Sequence, residues 1–352
     1  MTGLDPGPEP RESREPDDRS VPAAEASPPP DQPPGGSIFA LEGRRAPGLY
    51  LVAWVLSVGG AVLTFIIGPL ASADRDRVGL LIVGAIILTL GLATAAGYQV
   101  LERRDRDPDR YRGPSPLIVF GAYFMGMSLM GLLLITGFGI DPDRPLSFFA
   151  IGLVQAVGYA LVVWLFVVRT SALTWSQMGW PTWRGRHLRA VLQGIGYAVA
   201  VMLPVTFGVL VLGGIVGLLM GVDAPQVLPF STDATDGFFV AATATVIIPV
   251  AEELFFRGFV LTAWLRDLGP RAALARSSVF FALVHIANIT TSDFAEGLGQ
   301  VVLTTAVILP VGLVLGWLFL RRGMAAAIAG HVTYNTLLLT LALVASRIPE
   351  PV

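Results

Sequence analysis

The chain contains no cysteine, which excludes disulfides, thiolate metal sites, cysteine nucleophiles and S-acylation. Lysine is missing too: all 24 cationic side chains are arginine, so Schiff-base and lysine general-base chemistry are excluded. Histidine occurs 3 times in 352 residues, and only 14% of residues are charged. What is present instead is apolar: 53% of residues are hydrophobic and the mean hydropathy is positive. That balance excludes an ordinary soluble domain and places the chain in a bilayer, with membrane lipid as its surroundings. The formal net charge of −2 averages two unlike parts and offers no cationic surface, so nucleic acid is not an expected partner.

Residues 1–37 are crowded with Pro, Asp, Glu, Ser and Gly and lack the β-branched and aromatic side chains that offset the entropy of ordering. A disordered tail is expected there, without the apolar core of a signal peptide. Beyond it, apolar runs of about 20 residues, enough for a 30 Å hydrocarbon core, fall near 48–71, 78–100, 116–138, 148–169, 189–221, 237–265, 272–289, 298–320 and 324–346. The expected fold is therefore an all-α polytopic transmembrane helix bundle of about nine spans. It comprises the tail (1–37), N-terminal transmembrane helices (48–236) and C-terminal helices (237–346) that hold the chemistry. In the fifth run Gly194, Gly196, Gly208, Gly213 and Gly214 are the small residues that let neighbouring backbones approach. No internal repeat is evident, which weakens a transporter reading.

Arginine orients the chain. Arg44 and Arg45, the cluster Arg103–Arg112, then Arg184, Arg186 and Arg189, then Arg266 and Arg271, and finally Arg321 and Arg322 all fall at alternate connections. The intervening loops are arginine-poor, as loops outside the cytoplasm are. The expectation is a multi-pass protein of the plasma membrane with a cytoplasmic N-terminus.

Three ionisable residues interrupt the sixth run: Glu252, Glu253 and Arg257. Charge at membrane depth costs several kcal/mol and faces the bundle interior. Glu253 and Arg257, four apart, share a helix face and can pair, whereas Glu252 points about 100° away and stays free of that partner. Pro249, just upstream, removes a backbone hydrogen bond. Of the histidines, His187 lies in an arginine-rich loop, but His285 and His331 sit inside apolar runs, with Asn335 one turn after His331. A lone buried histidine is usually a core residue; two on separate helices, the second beside an asparagine, suggest a site. Glu252 with His285 would deprotonate a water, and His331 with Asn335 would hold the oxyanion of an attacked carbonyl. A zinc version would instead use Glu252, His285 and His331 as ligands to Zn2+, with water as the fourth. The residues leave both versions open, although the absence of His-Glu-x-x-His favours the metal-free one. The same polar residues would also serve an ion-coupled transporter or a non-enzymatic bacteriocin-immunity protein.

Glu252-Glu253-x-x-x-Arg257, Phe281-x-x-x-His285 and His331-x-x-x-Asn335, in this order on successive apolar helices, resemble the three motifs of the CPBP family of intramembrane proteases, which includes the type II CAAX prenyl endopeptidases. The resemblance covers about a third of the chain, and every motif position is filled. It implies an endopeptidase (hydrolase) acting on a membrane-embedded or lipidated peptide or protein. Glu252 and His285 would activate water, His331 and Asn335 would stabilise the oxyanion, and Glu253, Arg257 and Phe281 would support them. The segment Leu173–Trp180 is also similar to one that precedes the core in bacterial relatives.

Overall fold

The computed structural model describes residue 3 and residues 41–67, 74–180, 187–220, 233–286 and 294–345. The expected tail, apart from Gly3, and the loop holding Arg184 and Arg186 lie outside the described residues, as does the side chain of His187. The chain divides into two units, Met1–Gly43 and Arg44–Val352, and the second contains everything that follows.

Its described residues form nine helices and no strand. They are α1 (Pro47–Ile67), α2 (Asp74–Glu102), α3 (Pro116–Phe138), α4 (Pro145–Val168), α5 (187–220), α6 (Ala234–Leu268), α7 (Pro270–His285), α8 (Phe294–Arg322) and α9 (Met324–Ala345). Proline at the first turn opens α1, α3, α4 and α7, where its missing N–H would be unpaired in any case. Asp233 caps α6, its carboxylate accepting from the Thr235 and Asp236 amides at 2.8 and 3.1 Å.

Eight of these helices, not nine, are long and apolar enough to cross a membrane; the exception is α7. The run at 272–289 gives a helix of 16 residues that ends at His285. That is about 24 Å at 1.5 Å per residue, short of a 30 Å core. Ile286 closes the helix with a tighter, 3-10 turn, and residues 287–289 of the run lie outside the described residues. One stripe of α7 is buried: Ser277 donates to the Phe256 carbonyl on α6 (3.4 Å), while Leu274 and Ser278 lie against Gly316 and Gly312 of α8.

Helices α6 and α7 are joined through Gly269 (φ +77°), and α8 and α9 through Gly323 (φ +86°). Both φ values lie in the region that penalises a Cβ. Of the five α5 glycines singled out from the sequence, Gly194 packs where a Cβ would strike the Ala326 carbonyl of α9, and Gly213 packs on Leu303 of α8. Gly196, Gly208 and Gly214 have no neighbour within 4 Å and do not make the expected close approach.

Helix α6 is the most enclosed of the eight spans. Phe255, Phe256 and Phe259 pack with Tyr111, Tyr123, Tyr159 and Phe281 into one aromatic core, which Leu173 and Met178 of the loop before α5 complete from one end. Within α6, two wide π-helical stretches, Thr243–Ile247 and Glu253–Leu261, flank a single α-turn, Ile248–Glu252. Such stretches are rare and cluster at functional positions.

Candidate active site

Glu252 and Glu253 stand at the junction of that α-turn with the second π-helical stretch and have different surroundings. Glu253 is fully buried; its Oε1 lies 2.9 Å from Arg257 Nη1, the i, i+4 pair read from the sequence. The same oxygen accepts a hydrogen bond from His331 Nδ1 at 2.8 Å. Arg257, also buried, donates from Nη2 to the Gly312 carbonyl of α8 (3.4 Å) and lies 4.2 Å over the Phe281 ring. A buried charge pair survives when its remaining hydrogen-bonding capacity finds partners; α8 and α9 supply part of it here, while Glu253 Oε2 has no hydrogen-bond partner among the described residues. Phe281 in turn meets the His285 and His331 rings edge-on, with centroids 4.6 and 6.0 Å away.

Glu252 faces the two imidazoles. His285 Nε2 is 3.9 Å from its Oε1 and His331 Nε2 is 3.8 Å from its Oε2. Both separations exceed a direct hydrogen bond and suit one bridging water. The opposite ring nitrogens fix the tautomers. His285 Nδ1 donates to the Phe281 carbonyl at 2.8 Å, which can only accept, and His331 Nδ1 donates to the ion-paired Glu253. In neutral rings both Nε2 atoms therefore present lone pairs toward Glu252. The Glu252 and His285 side chains remain 13% and 20% exposed, against 0% for Glu253, so a reacting molecule can reach Glu252 and not its neighbour.

Asn335 is placed differently from its motif partner. Its Nδ2 donates to the Ala244 carbonyl of α6 at 2.9 Å, and its second amide hydrogen has no partner among the described residues. The structure thus brings Glu252, His285 and His331 together, assembles Glu253, Arg257 and Phe281 beneath them, and ties Asn335 to the α6 backbone one turn away. Sequence reading missed the Ala244 and Gly312 carbonyls, because backbone acceptors carry no side-chain signal. It also missed Tyr123 and Tyr159, stacked 4.0 Å apart on α3 and α4 and within electrostatic range of Glu252.

Among the described residues no group of three or more His, Asp or Glu side chains is set to hold a metal ion. Tetrahedral zinc with bonds near 2.05 Å would bring ligand atoms to about 3.4 Å of one another, closer than the 3.8 and 3.9 Å found.

Residues 234–337 match the family described as type II CAAX prenyl endopeptidase Rce1-like. This stretch, less than a third of the chain, is similar to that family. It begins at the first residue of α6, ends two residues past Asn335, and contains Glu252, Glu253, Arg257, Phe281, His285, His331 and Asn335. The helices of the Rce1-like segment and those before it make the chain a multi-pass membrane protein. No curated protein and no solved structure matches the chain.

Proposed function

We propose that the chain is an intramembrane endopeptidase of the CAAX type that hydrolyses a peptide bond without a covalent intermediate. The observation that carries the reading is the Glu252 carboxylate flanked by two imidazole Nε2 atoms at 3.9 and 3.8 Å. A water held there gives one proton to Glu252, while its other hydrogen stays on the oxygen and is hydrogen-bonded to His285 Nε2. Its oxygen attacks the scissile carbonyl carbon, and the carbonyl becomes a tetrahedral oxyanion. The free amide hydrogen of Asn335 donates to that oxyanion, and His331 does so from Nε2 when that nitrogen carries a proton. Collapse breaks the C–N bond, and the proton on Glu252 passes to the leaving amine. No step is routed through a metal, in keeping with the wide spacing of the three side chains.

The substrate class is a membrane-embedded or lipid-linked peptide, since the site residues lie on apolar helices. The arginine at the end of α6 supports a cytoplasmic N-terminus, and we take the membrane to be the plasma membrane. The test is cleavage of a prenylated C-terminal peptide and its unprenylated counterpart by protein purified in lipid nanodiscs. Wild type should cleave the prenylated peptide, and Glu252→Gln should lose at least about a hundredfold in kcat. Equal cleavage by both proteins would end the assignment.

A further inference from the structure

Pro249 and Asn335 are linked through a single carbonyl. In the first π-helical stretch of α6 the Ile248 amide donates five residues back, to the Thr243 carbonyl. One position on, the same pattern would have residue 249 donate to the Ala244 carbonyl. Residue 249 is proline and has no N–H, so the helix cannot satisfy this acceptor. An unpaired carbonyl in a membrane interior is costly. Asn335 Nδ2, from α9, donates to this same oxygen at 2.9 Å.

We infer that Asn335 is a positioning residue: its amide replaces the hydrogen bond that Pro249 cannot make and so fixes the turn of α6 that aims Glu252 at the two histidines. The Ile248–Glu252 turn lies between the Ala244 carbonyl and the site, with Pro249 near its start and Glu252 at its end. If the wide stretch before it relaxed, Glu252 would swing relative to His285 and His331, which belong to other helices. His331 precedes Asn335 by one turn of α9, so a single helix both holds the backbone of α6 and carries one of the two imidazoles that face Glu252. The inference adds to the proposed oxyanion role of Asn335 and rests on the hydrolytic reading only where activity is measured.

A double-mutant cycle tests it. Pro249→Ala returns an N–H to the position facing Ala244, so that Asn335→Ala no longer leaves the carbonyl bare. With proline at 249, Asn335→Ala should lower kcat with KM held and an unchanged folded fraction by size exclusion. In the Pro249→Ala background that penalty should shrink by about tenfold, the equivalent of one buried hydrogen bond. The melting temperature should follow the same pattern, falling by on the order of 2 °C only when residue 249 is proline. An equal kcat penalty in both backgrounds would overturn the inference. If no protein cleaves any peptide, the hydrolytic reading fails and the melting cycle alone decides: an equal fall in both backgrounds overturns the link, and a fall confined to the proline background upholds it.

Discussion

His331 donates from Nδ1 to Glu253 Oε1 over 2.8 Å, so the buried carboxylate that neutralises Arg257 also sets which nitrogen of the histidine faces Glu252. Removing Glu253 therefore has two effects. It strands a buried guanidinium, at a cost of about 3–5 kcal/mol, and it frees the His331 ring. Glu253→Ala should melt well below wild type in detergent, whereas Glu252→Gln, at a partly exposed position, should melt close to wild type while losing activity. Equal melting of the two variants would show that the adjacent carboxylates are not divided in this way.

The anchoring of His285 on the Phe281 carbonyl predicts a turnover effect rather than a binding effect. His285→Ala should lower kcat by about a hundredfold or more, the usual share of a proton-handling group, and leave KM nearly unchanged. A rise in KM at constant kcat would assign the ring to substrate binding instead.

The spacing of Glu252, His285 and His331 predicts indifference to chelators. Prolonged treatment with 1,10-phenanthroline or EDTA should leave both cleavage and melting temperature unchanged. Inactivation reversed by Zn2+ would restore the zinc version of the chemistry.

At the α5–α9 contact, a Cβ on Gly194 would meet the Ala326 backbone, and the Gly194 carbonyl lies beside Gly330, the neighbour of His331. Because the obstacle is backbone, it cannot turn aside. Gly194→Val should reduce folded yield and activity together, while Gly196→Val, at a position with no neighbour, should change neither. Folded yield by size exclusion separates these outcomes.

The sequence made the helical class, the lipid setting and the Glu253–Arg257 pair legible, because apolar run length and i, i+4 spacing are local properties. The grouping of His285 and His331 with Glu252 came from motif order, which carries no distances. The seventh run, 272–289, gives an α-helix described only as far as His285, its last three residues lying outside the described residues. The π-helical stretches of α6 were invisible: Pro249 announces a missing hydrogen bond but not the width of the turn before it, nor which distant side chain compensates. Asn335 was read from its spacing to His331 as a donor into the cavity, and that reading had no way to register the Ala244 carbonyl.

Arg257 meets the Glu253 carboxylate, the Gly312 carbonyl and the Phe281 face together, a combination suited to a planar forked cation and not to an ammonium. Gly312 and Gly316 give α8 a smooth side at this level, along which α7 could otherwise glide. Any such sliding of α6, α7 or α8 would part the guanidinium from one of its three contacts. The bundle thus keeps its longitudinal register here by electrostatics, like a ratchet whose pawl is a single charged group.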